Sequence, residues 1–316
     1  MGWRTAAARR APLKSPLQSH RFSITFVHRS TLSLLRWRLL ATFAIAGQLL
    51  AGCASLDGKQ AQWIFQPSTR DWGGNSGSGP EMADEWIEFD SAHSGQRVRL
   101  HALWHPALAA DAARSGTAPV LLYLHGARWN VSGSTNRMRR MQELGFSVLA
   151  LDYRGFGKSD GELPTETLAN EDARAAWDWL GKRYPDRPRY IFGHSLGGAI
   201  AIELASQVTD EAGTIVEGTF TSIPDVVSSM PWGWLPVGPL ITQRFEAVRK
   251  VASVGSPLLV VHGTDDSLIK PDLGRRLFEA AREPKAFVLV QGGSHHNTNA
   301  VGQPQYRRAI AELFGL

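Results

Sequence analysis

Apolar positions along the chain fall into short runs of strand length, and amphipathic stretches of helical length separate them from the third run onward. The runs lie at residues 86–89 and 98–104, then 120–124, 147–151, 190–192, 214–216, 257–261 and 286–290. The helical stretches lie at 135–144, 165–182, 196–207, 272–281 and 305–314. The first two runs are close enough to form a hairpin, and the later ones alternate strand with helix. This order predicts an α/β fold: a doubly wound, mostly parallel sheet of about eight strands. Such sheets bind ligands at the carboxyl ends of their strands.

The first 84 residues follow a different pattern. Residues 39–50, LLATFAIAGQLL, form an apolar run preceded by Arg36 and Arg38. It is too short to span a bilayer, which needs about 20 residues, and has the length of a signal-peptide core. The next residues, Leu50, Ala51, Gly52 and Cys53, resemble the lipobox of bacterial lipoproteins. That resemblance implies a signal peptide over 1–52, acylation of Cys53 and attachment to the bacterial cell envelope. Ala54, rather than Asp, after the cysteine points to the outer membrane. Residues 53–84 hold Trp63, Trp72 and the run GGNSGSGP without periodicity, so they are expected to be a lipidated tether. The folded domain is expected over 85–316.

Charge agrees with that division. The eight basic residues before Cys53 face no Asp or Glu, and without them 26 basic residues meet 29 acidic ones, a formal net charge of −3 in place of +5. The sequence pI of 9.5 therefore describes the leader and implies no nucleic-acid-binding surface. A single cysteine excludes an intramolecular disulfide framework and a cysteine-based zinc site. His101 and His105 share a strand face without a third ligand, so no metal is expected. No nucleotide cofactor is expected either. A phosphate-cradling loop ending at 157 would need Gly where Asp152 stands, and a dinucleotide fingerprint would need Gly at Asp160.

Gly-x-Ser-x-Gly occurs twice, at Gly157–Gly161 and Gly193–Gly197. A nucleophile elbow requires a strand, a sharp turn and a helix with no spare residues. Ser195 meets this condition, because RYIF runs into Gly193 and GGAIAIELA leaves at once. Ser159 lies in a polar stretch that continues to Pro164. A serine hydroxyl needs a base, and the base needs an acid to orient it. Asp265 and Asp266 follow the strand PLLVVHG, and His295 and His296 follow AFVLV, each at a strand's carboxyl end.

From about Glu85 to Leu316 the chain resembles the α/β-hydrolase family, in particular its small-lid serine hydrolases: esterases, lipases, thioesterases and serine aminopeptidase-like proteins. LHGARWN, LDYRGFGKSDG, GHSLGG, HGTDD and GGSHHN carry the resemblance in the family's order. It implies Ser195 as nucleophile, Asp266 as acid with Asp265 the adjacent candidate, and His295 as base ahead of His296. It also implies an oxyanion hole from the backbone N–H groups of Ala127 and Leu196. Arg128 and Trp129, next in that loop, are candidate contacts to a substrate carboxylate or phosphate and to an apolar chain. The insertion at about 218–256 corresponds to the lid, where Trp232 and Trp234 are candidate acyl-chain contacts and four prolines preclude one long helix.

The expected function is hydrolysis of acyl esters or thioesters through an acyl-enzyme, with a small-molecule or lipid acyl substrate and a membrane partner through Cys53. A peptidase or amidase of the same fold is the first alternative. A catalytically silent envelope lipoprotein is the second.

Overall fold

A computed structural model describes residues 56–70, 82–108, 116–161 and 163–316 of the chain. The leader, Cys53 and Trp72 lie outside the described residues. The sheet has eight strands: β1 (Ala83–Asp90), β2 (Arg97–His105), β3 (Val120–Leu124), β4 (Ser147–Leu151), β5 (Arg189–His194), β6 (Gly213–Glu217), β7 (Leu258–Gly263) and β8 (Lys285–Val290). Their spatial order is β1-β2-β4-β3-β5-β6-β7-β8. β2 is antiparallel to both β1 and β4, and all later pairings are parallel. This is the mostly parallel, eight-stranded sheet that the alternation of runs predicts.

Alternation within each strand feeds two cores. Val120, Leu122 and Leu124 of β3 pack into one hydrophobic cluster, and Leu121 and Tyr123 into the other. Successive side chains of a strand point to opposite faces, so a wholly apolar strand requires helices on both sides. One face carries α3 (Glu166–Arg183), α4 (Leu196–Ala205) and α7 (Pro271–Ala280). The other carries α2 (Thr135–Gln142) and α9 (Gln303–Phe314), which α8 (Thr298–Val301) precedes. α4 is apolar around nearly its whole circumference, as befits a helix buried between sheet and neighbours.

The expected tether is corrected by the structure. Residues 56–65 form a helix, α1, whose Ala61, Ile64 and Phe65 are buried in the main core. Their i, i+3, i+4 spacing places them on one helical face, a signal that the adjoining Gly/Ser run obscures. The Phe65 ring meets Phe156 and Phe245 edge-on at centroid distances of 6.3 and 5.8 Å. The 218–256 insertion contains α5 (Ile223–Ser228), a 3-10 turn (Gly238–Leu240) and α6 (Ala247–Lys250). Pro224 sits in the first turn of α5 and Pro239 at the start of the 3-10 turn, where a missing N–H costs nothing, and Pro231 and Pro236 fall between elements.

Candidate active site

Ser195 occupies the turn from β5 into α4 with φ 56° and ψ −121°, a region that a non-glycine residue enters only when its surroundings force it. Those surroundings are explicit. The Ser195 N–H donates to the Glu217 carbonyl at 2.9 Å, and the Ser195 carbonyl accepts from the Gly198 N–H and the Thr219 hydroxyl, each at 2.9 Å. Close packing of the turn requires glycine at both ends: a Cβ on Gly193 would lie 2.2 Å from the Gly197 carbonyl oxygen, and one on Gly197 2.1 Å from that of Leu124.

The chain brings together the three residues named from its sequence. His295 Nε2 lies 3.0 Å from Ser195 Oγ, and His295 Nδ1 lies 2.8 Å from Asp266 Oδ2. All three side chains are buried. The second Asp266 oxygen accepts the N–H groups of Leu268 at 3.0 Å and Ile269 at 2.8 Å. Burial opposes charge on Asp266, but the hydrogen bonds from His262, His295 and the Ile269 amide outweigh it and hold the carboxyl well below its ordinary range. An ionised carboxylate only accepts, so Nδ1 of His295 carries a proton and Nε2 is left to accept from the serine. Asp265 is exposed and bonds to Thr264, and His296 is exposed with its ring 5.3 Å from that of His295. Ser159 braces a loop: its hydroxyl donates to the Asp152 carbonyl and accepts from the His101 N–H.

A buried ion pair supports the histidine loop. Arg137 of α2 donates to Glu217 at 2.9 Å and to the His296 carbonyl at 3.4 Å, and the Tyr306 hydroxyl also donates to Glu217. His194 Nε2 donates to the His295 carbonyl at 2.9 Å. Burial, then the charges of Arg137 and His295, keep the His194 imidazole neutral by pushing its pKa well down. None of these four was singled out from the sequence, although Glu217 ending an otherwise uncharged β6 was a visible signal.

The loop after β3 approaches the serine through Gly126, where a Cβ would lie 3.1 Å from Ser195 Cβ. Ala127 and Leu196 line the same cavity. Arg128 and Trp129 follow with φ 68° and 59°, two consecutive left-handed residues that are not glycine. Contacts on both sides hold this conformation. The Arg128 N–H donates to the Phe65 carbonyl at 2.7 Å, and the Asn130 side-chain amide donates to the carbonyls of Ser68 and Arg70. Asp152 accepts the Val131 N–H at 2.8 Å and pairs with His101, which reaches Asp84 at 2.8 Å.

Ser195 opens into a cavity of about 480 Å³. Its apolar wall comes from Ile64 and Trp63 of α1 and from Phe220, Ile223, Val226 and Met230 of the insertion. Its polar wall carries Arg128, Arg137 and Arg140. Trp129 lines it as expected. Trp232 and Trp234 do not, which corrects their sequence-based assignment: they are 43% and 80% exposed. After α5 the chain turns at Met230–Gly233, sending Met230 into the cavity and the two tryptophans outward. No helix among the described residues is long and apolar enough to cross a membrane.

Comparison with known proteins agrees with this fold. Residues 116–246 match the family described as serine aminopeptidase, S33. An uncharacterized protein of Mycobacterium tuberculosis is 32% identical over 269 residues, covering 84% of this chain and 91% of that one. Lysophosphatidylserine lipase ABHD12 of Danio rerio is 30% identical over 209 residues, 58% of this chain and 54% of the lipase. Among solved structures, an esterase of Pyrococcus furiosus superposes with a TM-score of 0.61 at 18% identity, covering 80% of this chain and 99% of that one.

Proposed function

Because the chain belongs to the α/β-hydrolase family, we propose that it is a serine hydrolase that cleaves acyl esters or thioesters through an acyl-enzyme on Ser195. The observation that carries this reading is the continuous relay from Ser195 Oγ through His295 to Asp266, at 3.0 and 2.8 Å. In this mechanism His295 Nε2 takes the hydroxyl proton as Oγ bonds to the substrate carbonyl carbon. Asp266 fixes the tautomer and stabilises the imidazolium that forms. The N–H groups of Ala127 and Leu196 receive the oxyanion, and donors of this kind contribute about 3 to 4 kcal/mol each when probed by removal. Collapse breaks the bond to the leaving group, which takes the proton from His295. Water then repeats the sequence and frees Ser195.

The cavity lining favours an acyl ester over a peptide amine. Among the described residues it contains no Asp or Glu that could receive a free α-amino group. Glu217 neutralises Arg137, leaving Arg128 and Arg140 as net positive charge opposite the apolar wall. An ester with an anionic head and an acyl chain suits that division, and the similarity to lysophosphatidylserine lipases supports it. Cys53 is the proposed acylation site, anchoring the enzyme in a bacterial envelope at the outer membrane.

Kinetics on matched octanoyl esters of a neutral and a phosphorylated alcohol, with an aminoacyl amide alongside, test the reading. Preference for the phosphorylated ester supports it. Preference for the amide would assign the protein to the peptidase alternative, and turnover of none to the silent one.

A further inference from the structure

Three exposed apolar side chains stand on the edge of the cavity itself. Trp63 of α1, Trp129 of the oxyanion loop and Leu268 after β7 all line it, yet each is between 42% and 55% exposed. The insertion extends this surface. Leu240 is drawn against α1 by a hydrogen bond from Gln60 Nε2 to its carbonyl at 2.7 Å, and is 61% exposed. Trp234 and Leu235, on the turn beyond Met230, are exposed as well. A soluble protein seldom gathers large apolar side chains in one patch without a partner to cover them. Here three of them line the cavity that holds Ser195.

Covalent connectivity indicates the occupant. α1 begins at residue 56, three residues after Cys53, and three extended residues span about 10 Å. The first turn of α1 is in turn fixed to the insertion, because Asp57 accepts hydrogen bonds from the Thr242 hydroxyl and the Gln243 side chain. An acyl anchor on Cys53 therefore holds a membrane close to the helix that forms one edge of the mouth. Tryptophan and leucine suit that boundary, since indole rings settle at headgroup depth and aliphatic side chains beyond it.

We propose that the rim formed by Trp63, Trp129, Leu268, Trp234, Leu235 and Leu240 is a bilayer-docking face, which seats the cavity mouth on the membrane surface so that a lipid acyl ester enters without crossing water. This rests on the acyl-ester reading, and acylation of Cys53 would bring the membrane to the rim. The rim adds a second membrane contact to the anchor, and peripheral attachment becomes stable when two contacts act together.

The test uses the protein processed in bacterial cells, the state of Cys53 being read by mass spectrometry, and bound to vesicles of phosphatidylethanolamine and phosphatidylglycerol. Cysteines introduced as Trp234→Cys, Leu240→Cys and, at the opposite end of the sheet, Arg183→Cys carry an environment-sensitive fluorophore. Docking predicts a blue shift and quenching by lipid-borne nitroxide at 234 and 240, with neither at 183. The double variant Trp234→Glu, Leu235→Glu should lose at least about tenfold in rate on a vesicle-embedded acyl ester, yet keep its rate on a soluble acetyl ester within about twofold. Insertion of the rim without an acyl group on Cys53 would still support the docking face. Equal solvent exposure at all three labels on vesicle-bound protein overturns it. So does shielding at 234 that rises with protein concentration in the absence of vesicles, which would assign the face to a second copy of the chain. Loss of acetyl-ester turnover in wild type as well would overturn the hydrolase reading and leave the labelling result to decide the docking face.

Discussion

The Arg128 amide donates to the Phe65 carbonyl at 2.7 Å, so a helix preceding the first strand of the sheet helps set the loop beside Ser195. Phe65 is fully buried. Removing its ring should cost about 3 to 5 kcal/mol in urea unfolding. Phe65→Leu should stay within about 1.5 kcal/mol of wild type. If Phe65→Ala were neutral, α1 would be a passenger on the domain.

Arg137 and Glu217 should behave as a buried ion pair. Glu217 has no exposed surface, and Arg137→Ala would leave its carboxylate without a cation, a loss of about 3 to 5 kcal/mol. The apolar double variant Arg137→Met, Glu217→Leu should recover much of that stability. Recovery of folding without full recovery of kcat would assign the pair a part in holding the His295 loop, because Arg137 also reaches the His296 carbonyl.

His101 lies between Asp84 and Asp152 and should make stability pH-dependent. Burial opposes its charge, but hydrogen bonds to Asp152 and Asp84 prevail and raise its pKa above the ordinary 6.5. A raised native value means that the folded state binds the proton more tightly than the unfolded one. The resulting stabilisation is complete below about 6.5 and fades as pH climbs through the native value. His101→Gln should flatten the stability profile on that alkaline side, read from denaturant midpoints between about pH 6 and 9. An unchanged profile would show that another group governs it.

Arg140 should matter for charged substrates only. Arg140→Ala is expected to lower kcat/KM on a phosphorylated acyl ester about tenfold, the value of a charge-assisted contact of about 1.4 kcal/mol. The neutral ester should change less than about twofold. Equal losses on both would place Arg140 in the framework of the cavity and not at the head group.

The strands were legible because wholly apolar runs bracketed by turns leave little choice, and β3 and β4 occupy the residues that the pattern indicates. Ser195, Asp266 and His295 were legible because Ser195 follows β5 directly and the other two lie within five residues of the ends of β7 and β8, carboxyl ends that the fold assembles. α1 was obscured, since three buried positions in ten residues give a faint period next to a Gly/Ser run. The Arg137–Glu217 pair spans 80 residues and leaves no local trace. Trp232 and Trp234 misled because aromatic content shows that surface is available for contact and says nothing of which way a turn points it.

Central to the account is that Ser195 alone carries the acyl group, and active-site labelling tests this most directly. A fluorophosphonate probe should modify wild type and Ser159→Ala at Ser195, as located by peptide mapping, and should not label Ser195→Ala. Asp266→Asn, which would leave the imidazole in the wrong tautomer, should slow labelling by about 10⁴. His296→Ala should label at close to the wild-type rate. Modification at a serine other than Ser195, or unimpaired ester turnover in Ser195→Ala, would contradict the assignment.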